Sequence, residues 1–181
     1  MFLTEPCVRI SRTRLFSKIH ALGDSAYRLC TIYGFGKGPT KTTVTASPKV
    51  SVLSSSVLFE GTVMDLSAGA EQAGVVERFP DGLPAVSDES MSEWMEYVYM
   101  QQKQPTAGSG VPVKLEVVVD PNGNWYDIGT ATTDLTGYYS IDWKPPVPGR
   151  YLILASFGGS ESYYGSYVET AIVVDEAPKV A

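Results

Sequence analysis

From residue 111 to residue 174 the chain runs in short stretches of alternating apolar and polar residues. Turn-forming groups separate them: Pro121-Asn122-Gly123, Leu135-Thr136-Gly137, Pro146-Val147-Pro148-Gly149 and Gly158-Gly159-Ser160. A period of two places successive side chains on opposite faces of a strand. The pattern therefore predicts strands at 111–119, 125–132, 138–143, 151–157 and 167–174. Asn122-Gly123 suits a tight hairpin turn, because both residues accept positive φ. Pro145, Pro146 and Pro148 have no amide hydrogen to donate, so they mark a strand end or edge. Upstream, the β-branched run 42–46 and the run 57–63 predict two further strands, with Pro48 closing the first. Gly61, inside the second, marks a bulge or a close approach of a neighbour. About seven short strands with turn chemistry between them indicate an all-β sandwich.

One segment breaks the period. Over residues 88–102, Met91, Trp94, Met95 and Val98 fall at helical spacing, and Tyr97, Tyr99 and Met100 widen the apolar arc. Ser87 is placed to cap this helix, with Asp88 and Glu89 at its positive end. Ser90 and Glu93 offer an alternative capping box. The helix follows a long polar, Gly-rich stretch, 64–86, expected as a loop within an insertion spanning 64–110. Residues 1–30 form an uncertain basic segment without clear periodicity, with a short basic helix expected over 9–21. Alternation over 27–33 gives a strand, and 31–41 reads as its end and a Gly/Pro linker. The sandwich then spans 42–176, and 177–181 form a tail.

Charge divides the chain unevenly. Residues 1–50 carry eight Lys/Arg against two Asp/Glu, and residues 51–181 carry six against eighteen. An acidic sandwich does not favour nucleic acid. No run of 18 apolar residues occurs, so no transmembrane helix and no membrane insertion are expected. At the N-terminus Glu5, Arg9, Arg12 and Arg14 interrupt the apolar residues, so no signal peptide is expected there and a cytoplasmic location stays open. The two cysteines, Cys7 and Cys30, precede the sandwich, which excludes a disulfide across its core and leaves the redox compartment undecided. With His20 they make three candidate ligands, too few for a four-ligand zinc site.

Four segments carry a likeness. They are the lead-in GFGKGPTKTTVTASPKV, the strand SSSVLFEGTVMD, the segment RFPDGLPAVSDESMSEWMEYVYMQQKQP, and the block DPNGNWYDIGTATTDLTGYYSIDWKPPVPGRYLILASFGGSESYYGS. Together, over about residues 31–176, they resemble the immunoglobulin-like modules at the C-terminal ends of large archaeal exported proteins. Such modules often follow a β-propeller of pyrroloquinoline-quinone type, and their core resembles carboxypeptidase-regulatory-like sandwiches. The resemblance implies an Ig-like β-sandwich with one inserted helix. It implies a non-catalytic structural or interaction module of a cell-surface or extracytoplasmic protein. Its partners would be neighbouring domains of a larger protein, or a cell-surface protein or glycan. The piece RLCTIYGFGKGPT resembles the last strand of a propeller and its exit linker, which implies a longer parent protein. Quinone binding is not carried over, and no cofactor is expected.

The remaining motifs carry little chemistry. Gly34-x-Gly36-x-Gly38 lacks dinucleotide spacing and is followed by Pro39 and a strand, not a helix. Asp120 to Asn124 resembles part of a calcium loop, but Trp125 and Ala131 stand where Gly and Glu are needed, so a hairpin turn is the better reading and no metal is expected. Asp65, Asp81, Asp88 and Glu89 are better read as a solvated acidic loop than as a shared cation site. Glu93/Glu96 and Asp127/Asp134 could serve as acid and base only across a cleft, which a small sandwich does not provide. A single histidine makes a Ser-His-Asp triad implausible. The aromatics are the one candidate ligand surface. Trp125, Tyr126, Tyr139, Tyr163 and Tyr164 lie near turns and strand ends, where flat rings can stack a sugar or grip a partner. Alternation offers the competing reading: one member of each Tyr-Tyr pair packs inward and its neighbour faces out.

Overall fold

The computed structural model describes residues 15–19, 32–120 and 123–176. Strands β1 (Leu15–Ile19) and β2 (Ile32–Gly36) pair antiparallel, Leu15 opposite Gly36 and Ile19 opposite Ile32. The expected basic helix over 9–21 is corrected here: residues 15–19 are a strand, and the rest of that span lies outside the described residues. The apolar residues there had only loose helical phase, and pairing with β2 gives the extended form its hydrogen bonds.

The Gly/Pro segment that follows is stitched into the sandwich. Gly38 N–H donates to Ser162 O at 2.9 Å, and Tyr164 N–H donates to Gly38 O at 2.8 Å. Strands β3 (Thr40–Thr42) and β4 (Thr45–Ser47) then both pair antiparallel with β6 (Val57–Asp65). At the cis Ser47–Pro48 bond the chain leaves that sheet, and β5 (Val50–Val52) pairs parallel with the last strand, β12 (Ser166–Asp175). The first sheet gathers β3, β4, the short β7 (Leu83–Pro84) and β10 (Tyr138–Trp143) around β6. The second has the order β5-β12-β11-β8-β9, with β8 (Pro112–Asp120), β9 (Asn124–Thr132) and β11 (Gly149–Phe157).

The alternation that defines the strands also builds the core. Val57, Phe59 and Val63 on β6 and Tyr139 on β10 belong to one buried cluster. Val113, Leu115 and Val117 on β8, and Tyr151, Ile153 and Ala155 on β11, belong to the same cluster. Between the sheets the rings of Trp143 and Tyr151 meet edge to face, centroids 5.2 Å apart. The Tyr151 hydroxyl donates to Val147 O at 2.5 Å, pinning the Pro-rich turn to the start of β11. Gly61 is required by a close approach. A side chain there would collide with the Thr43 carbonyl oxygen and with the Tyr139 hydroxyl that donates to it at 2.6 Å.

The insertion is more structured than its composition indicates. Within the stretch expected as a loop, α1 (Ala73–Arg78) and β7 form. The second helix, α2 (Met91–Met100), starts later than expected. Ser90, not Ser87, occupies its N-cap, without a side-chain capping bond. Met91, Trp94, Met95 and Val98 are buried, as their spacing predicts, and join the core. Arg78 closes the other end of α2. Its guanidinium donates to Val98 O at 2.8 Å and lies over the Tyr97 ring at 4.7 Å. The Asp88 carboxylate, expected at the helix start, instead accepts from Ser160 Oγ, Glu161 N and Ser162 N at 2.9, 2.9 and 3.1 Å. The insertion is thereby fastened to the β11–β12 loop.

Candidate interaction surface

Register separates the expected aromatic site into unlike parts. Tyr139 and Tyr163 are buried, at 1% and 0% exposure, so neither faces a ligand. Alternation turns their neighbours Tyr138 and Tyr164 outward instead. The Tyr138 hydroxyl bonds to the Glu60 carboxylate on the neighbouring strand. Trp125 and Tyr126 remain together on β9 at 55% and 51% exposure. They point to opposite faces: Trp125 stands beside the half-buried Val118, and Tyr126 beside the fully buried Val117. Tyr126 is exposed although it shares the inner face, because β9 is the last strand of its sheet. The five residues do not converge on one site.

Trp125 belongs to a different constellation. Across the outer face of the second sheet, Ala171, Leu152, Val118 and Trp125 stand opposite one another in a single row. One step along the strands lies a row containing Val50, Val173, Arg150 and Asp120. On the other side lies a row of Glu169, Leu154, Glu116 and Asp127. Tyr167 and Lys114 stand in the row beyond, joined through Ser156. Leu152, Val173, Val50, Trp125 and Tyr167 are all exposed. The face is thus an apolar band with charged positions in the rows on both sides, Arg150 and Asp120 on one and Glu169, Glu116 and Asp127 on the other. Lys114 Nζ meets Glu116 at 2.7 Å and Asp127 at 4.0 Å. Glu169 makes no ion pair among the described residues.

Sequence reasoning found Trp125 and missed the rest of the row. The signal was present as lapses in alternation: Leu152-Ile153-Leu154, Ile172-Val173-Val174 and Val117-Val118-Val119. Three consecutive apolar residues in a strand put at least one on each face. On β11 and β12 the inner residues Ile153, Ile172 and Val174 are buried, so their apolar neighbours face outward.

The acidic residues are engaged elsewhere. Asp134 accepts from Thr136 N and Oγ1 at 2.8 and 2.6 Å, shaping the turn before β10. Burial alone would raise the Asp88 pKa, but the donors on Ser162, Glu161 and Ser160 outweigh it and hold the carboxyl below its ordinary value. Asp65 is the opposite case. Burial pushes its pKa from 3.8 up to about 6, against the lowering effect of hydrogen bonds from Ser67 N and Oγ at 2.7 and 3.0 Å. Burial, aided by the Asp65 charge, raises the Tyr99 hydroxyl to about 12. Among the described residues no three His, Cys, Asp or Glu side chains converge as metal ligands. Cys7, His20 and Cys30 lie outside the described residues, as do Pro121 and Asn122 of the hairpin turn. No helix of the described residues is long and apolar enough to cross a membrane. No protein-family model and no curated protein matches the chain. Its functional reading therefore rests on this geometry.

Proposed function

We propose that the chain is a non-catalytic Ig-like interaction module of a cell-surface or extracytoplasmic protein. The observation that carries the reading is the exposed apolar band across β12, β11, β8 and β9. Monomeric sheets normally keep one face wet and polar, and a contiguous apolar patch on that face marks a contact site. The Ig-like assignment is supported by the connectivity. The first strand divides between the sheets: β3 and β4 lie antiparallel to β6, and β5 lies parallel to the last strand. The Tyr151–Val147 hydrogen bond at the start of β11 has the form of the tyrosine corner of such sandwiches. The absence of a core disulfide sets the chain apart from antibody domains. An archaeal origin and a longer parent protein are part of the same proposal and rest on the sequence resemblance alone.

The test separates a surface kept for contact from one that serves folding. Threonine suits strands and is polar, so Leu152→Thr with Val173→Thr should cost less than about 1 kcal/mol together if the face is open. Equilibrium denaturation with urea measures it. A loss of about 3 kcal/mol or more would mean the band is packed within the chain, and the reading would fail. A second reading, a carbohydrate-binding surface, is favoured by one arrangement: the Trp125 ring and the Asp127 carboxylate stand two residues apart on an exposed edge strand. Affinity electrophoresis in soluble polysaccharides, comparing wild type with Trp125→Ala, decides it. Retardation lost in the variant supports it, and equal mobility of both proteins rejects it.

A further inference from the structure

We propose that the insertion, residues 66–110, opens from the sandwich as a unit, and that ionisation of Asp65 at its root sets how often it does so. The geometry at the two ends of the insertion carries the argument. The chain leaves β6 at Asp65, and Leu66 N–H donates to Pro39 O at 2.9 Å. It returns at Gly110, whose N–H donates to Thr133 O at 3.1 Å. Between these anchors the insertion closes on itself: Val86 bridges Gly110, and Ser87 N–H donates to Ser109 O at 3.0 Å. Its two helices are joined by Arg78, which donates to the Tyr97 and Val98 carbonyls, and by the Phe79 ring against Trp94 and Tyr97. They therefore move together. Its backbone ties to the sheets are few. The two-residue β7 pairs with the end of β6, and Ala85 N–H donates to Val63 O at 3.1 Å. The Trp94 indole N–H, buried under α2, has no acceptor among the described residues, which weakens the seam.

Asp65 lies where these pieces meet. Leu83 on β7 and Thr40 on β3 stand opposite it. Ser67 supplies both of its hydrogen-bond donors. It makes no ion pair among the described residues. Its charge acts on the Tyr99 hydroxyl of α2 and on the Tyr163 hydroxyl of the β11–β12 loop. Both tyrosines titrate far above neutrality, and Asp88, which also acts on Tyr163, is held below the ordinary carboxylate value. Asp65 is the member of this cluster that changes charge in mildly acidic solution. Ser67, Leu83 and Tyr99 all belong to the insertion. Lifting it hydrates the carboxylate, while β6 keeps its pairing with β3, β4 and β10. A buried charge with two donors is costly, and the open form relieves that cost. The carboxyl titrates near 6 when covered and near 3.8 when exposed, so the insertion stays shut in acid and opens more often as pH rises.

Hydrogen exchange of the full chain, read by mass spectrometry at about pH 4 and about pH 7 and corrected for intrinsic exchange rates, tests the proposal. In wild type the amides of α2 should exchange faster than those of β8 and β11 at both values, through an opening that leaves the sheets paired. Their opening constant should rise roughly fiftyfold between the two values, the factor that follows from titration near 6 covered and near 3.8 exposed. In Asp65→Asn the difference between that rise and the change in β11 should vanish. Ser67→Ala removes the hydroxyl donor that favours the charged form, so the midpoint of the rise should move to higher pH. This variant serves if Asp65→Asn does not fold. An equal rise in wild type and Asp65→Asn overturns the proposal. So does exchange of α2 and β11 at one common corrected rate, which would mean that the insertion opens only when the whole sandwich unfolds. Neither result touches the apolar band, which keeps its own test in the Leu152→Thr/Val173→Thr variant.

Discussion

Replacing Asp65 with asparagine should change how the protein's stability depends on pH, and the size of the change follows from the carboxylate's surroundings. Asp65 closes the buried face of β6 and has 2% of its surface exposed. Its only hydrogen-bond donors among the described residues are the amide and hydroxyl of Ser67. Burial penalises the charged form more than these two donors favour it, so the group titrates near 6 in the folded chain and near 3.8 when exposed. Such a group favours the folded state fully below 3.8 and loses that contribution as pH rises through 6. At about 1.4 kcal/mol per pH unit the loss approaches roughly 3 kcal/mol at neutral pH. Asparagine keeps an oxygen for the Ser67 amide and never ionises. Urea denaturation of both proteins at several pH values between about 3.5 and 7 measures the difference. The other carboxylates contribute equally to both and cancel. Relative to the asparagine variant, the wild type should lose about 3 kcal/mol over this range, most of it between pH 4 and 6. Parallel profiles, or a wild type that gains stability relative to the variant as pH rises, would refute the reasoning.

Two further substitutions probe the core. Gly61→Ala should destabilise by about 3 kcal/mol, since the new methyl collides with the Thr43 carbonyl and the Tyr139 hydroxyl; chemical denaturation showing a near-neutral change would mean the strands can separate there at little cost. Trp94→Ala should also cost about 3 kcal/mol, because the ring is buried and packs on Phe79 and Tyr97 at centroid distances of 6.0 and 5.5 Å. Trp94→Phe should cost less in the same assay, because the indole N–H has no acceptor among the described residues.

Periodicity made the sandwich legible. The predicted strand over 138–143 matches β10, and β8, β9, β11 and β12 differ from prediction by a residue or two at their ends. Each has a buried row and a turn, and both leave marks in sequence. What failed was local structure whose cause is distant. α2 begins at Met91 because Asp88, a good helix-start residue in isolation, is drawn to three donors 72 to 74 residues away. α1 lies in Gly-rich sequence, and its only buried residue is Val75. Arg78, at its last turn, reaches the carbonyls of α2, a contact no window of sequence contains. Strands β1 and β5 are similar cases. Each is short, and each is fixed by a partner strand that the sequence alone does not assign.

The surface was legible in a different and less used signal. A search for conspicuous aromatics finds Trp125 and also Tyr139 and Tyr163, which are buried, because ring type does not tell inside from outside. Phase does. In β11 the order Tyr151-Leu152-Ile153-Leu154 leaves no polar residue for the outer face, and β12 repeats this at Ala171-Ile172-Val173. A strand that needs only one apolar face for folding gains nothing for stability from a second. Leu152 and Val173 each leave more than a third of their surface in water. Exposed apolar side chains also favour aggregation, a cost that sheet proteins usually avoid by placing charges there. Here the charged positions are present but set to either side, Arg150 and Asp120 on one flank and Glu116 and Glu169 on the other, so the band between them stays apolar. Charge placed to border a patch instead of interrupting it is what an interface with a defined orientation requires.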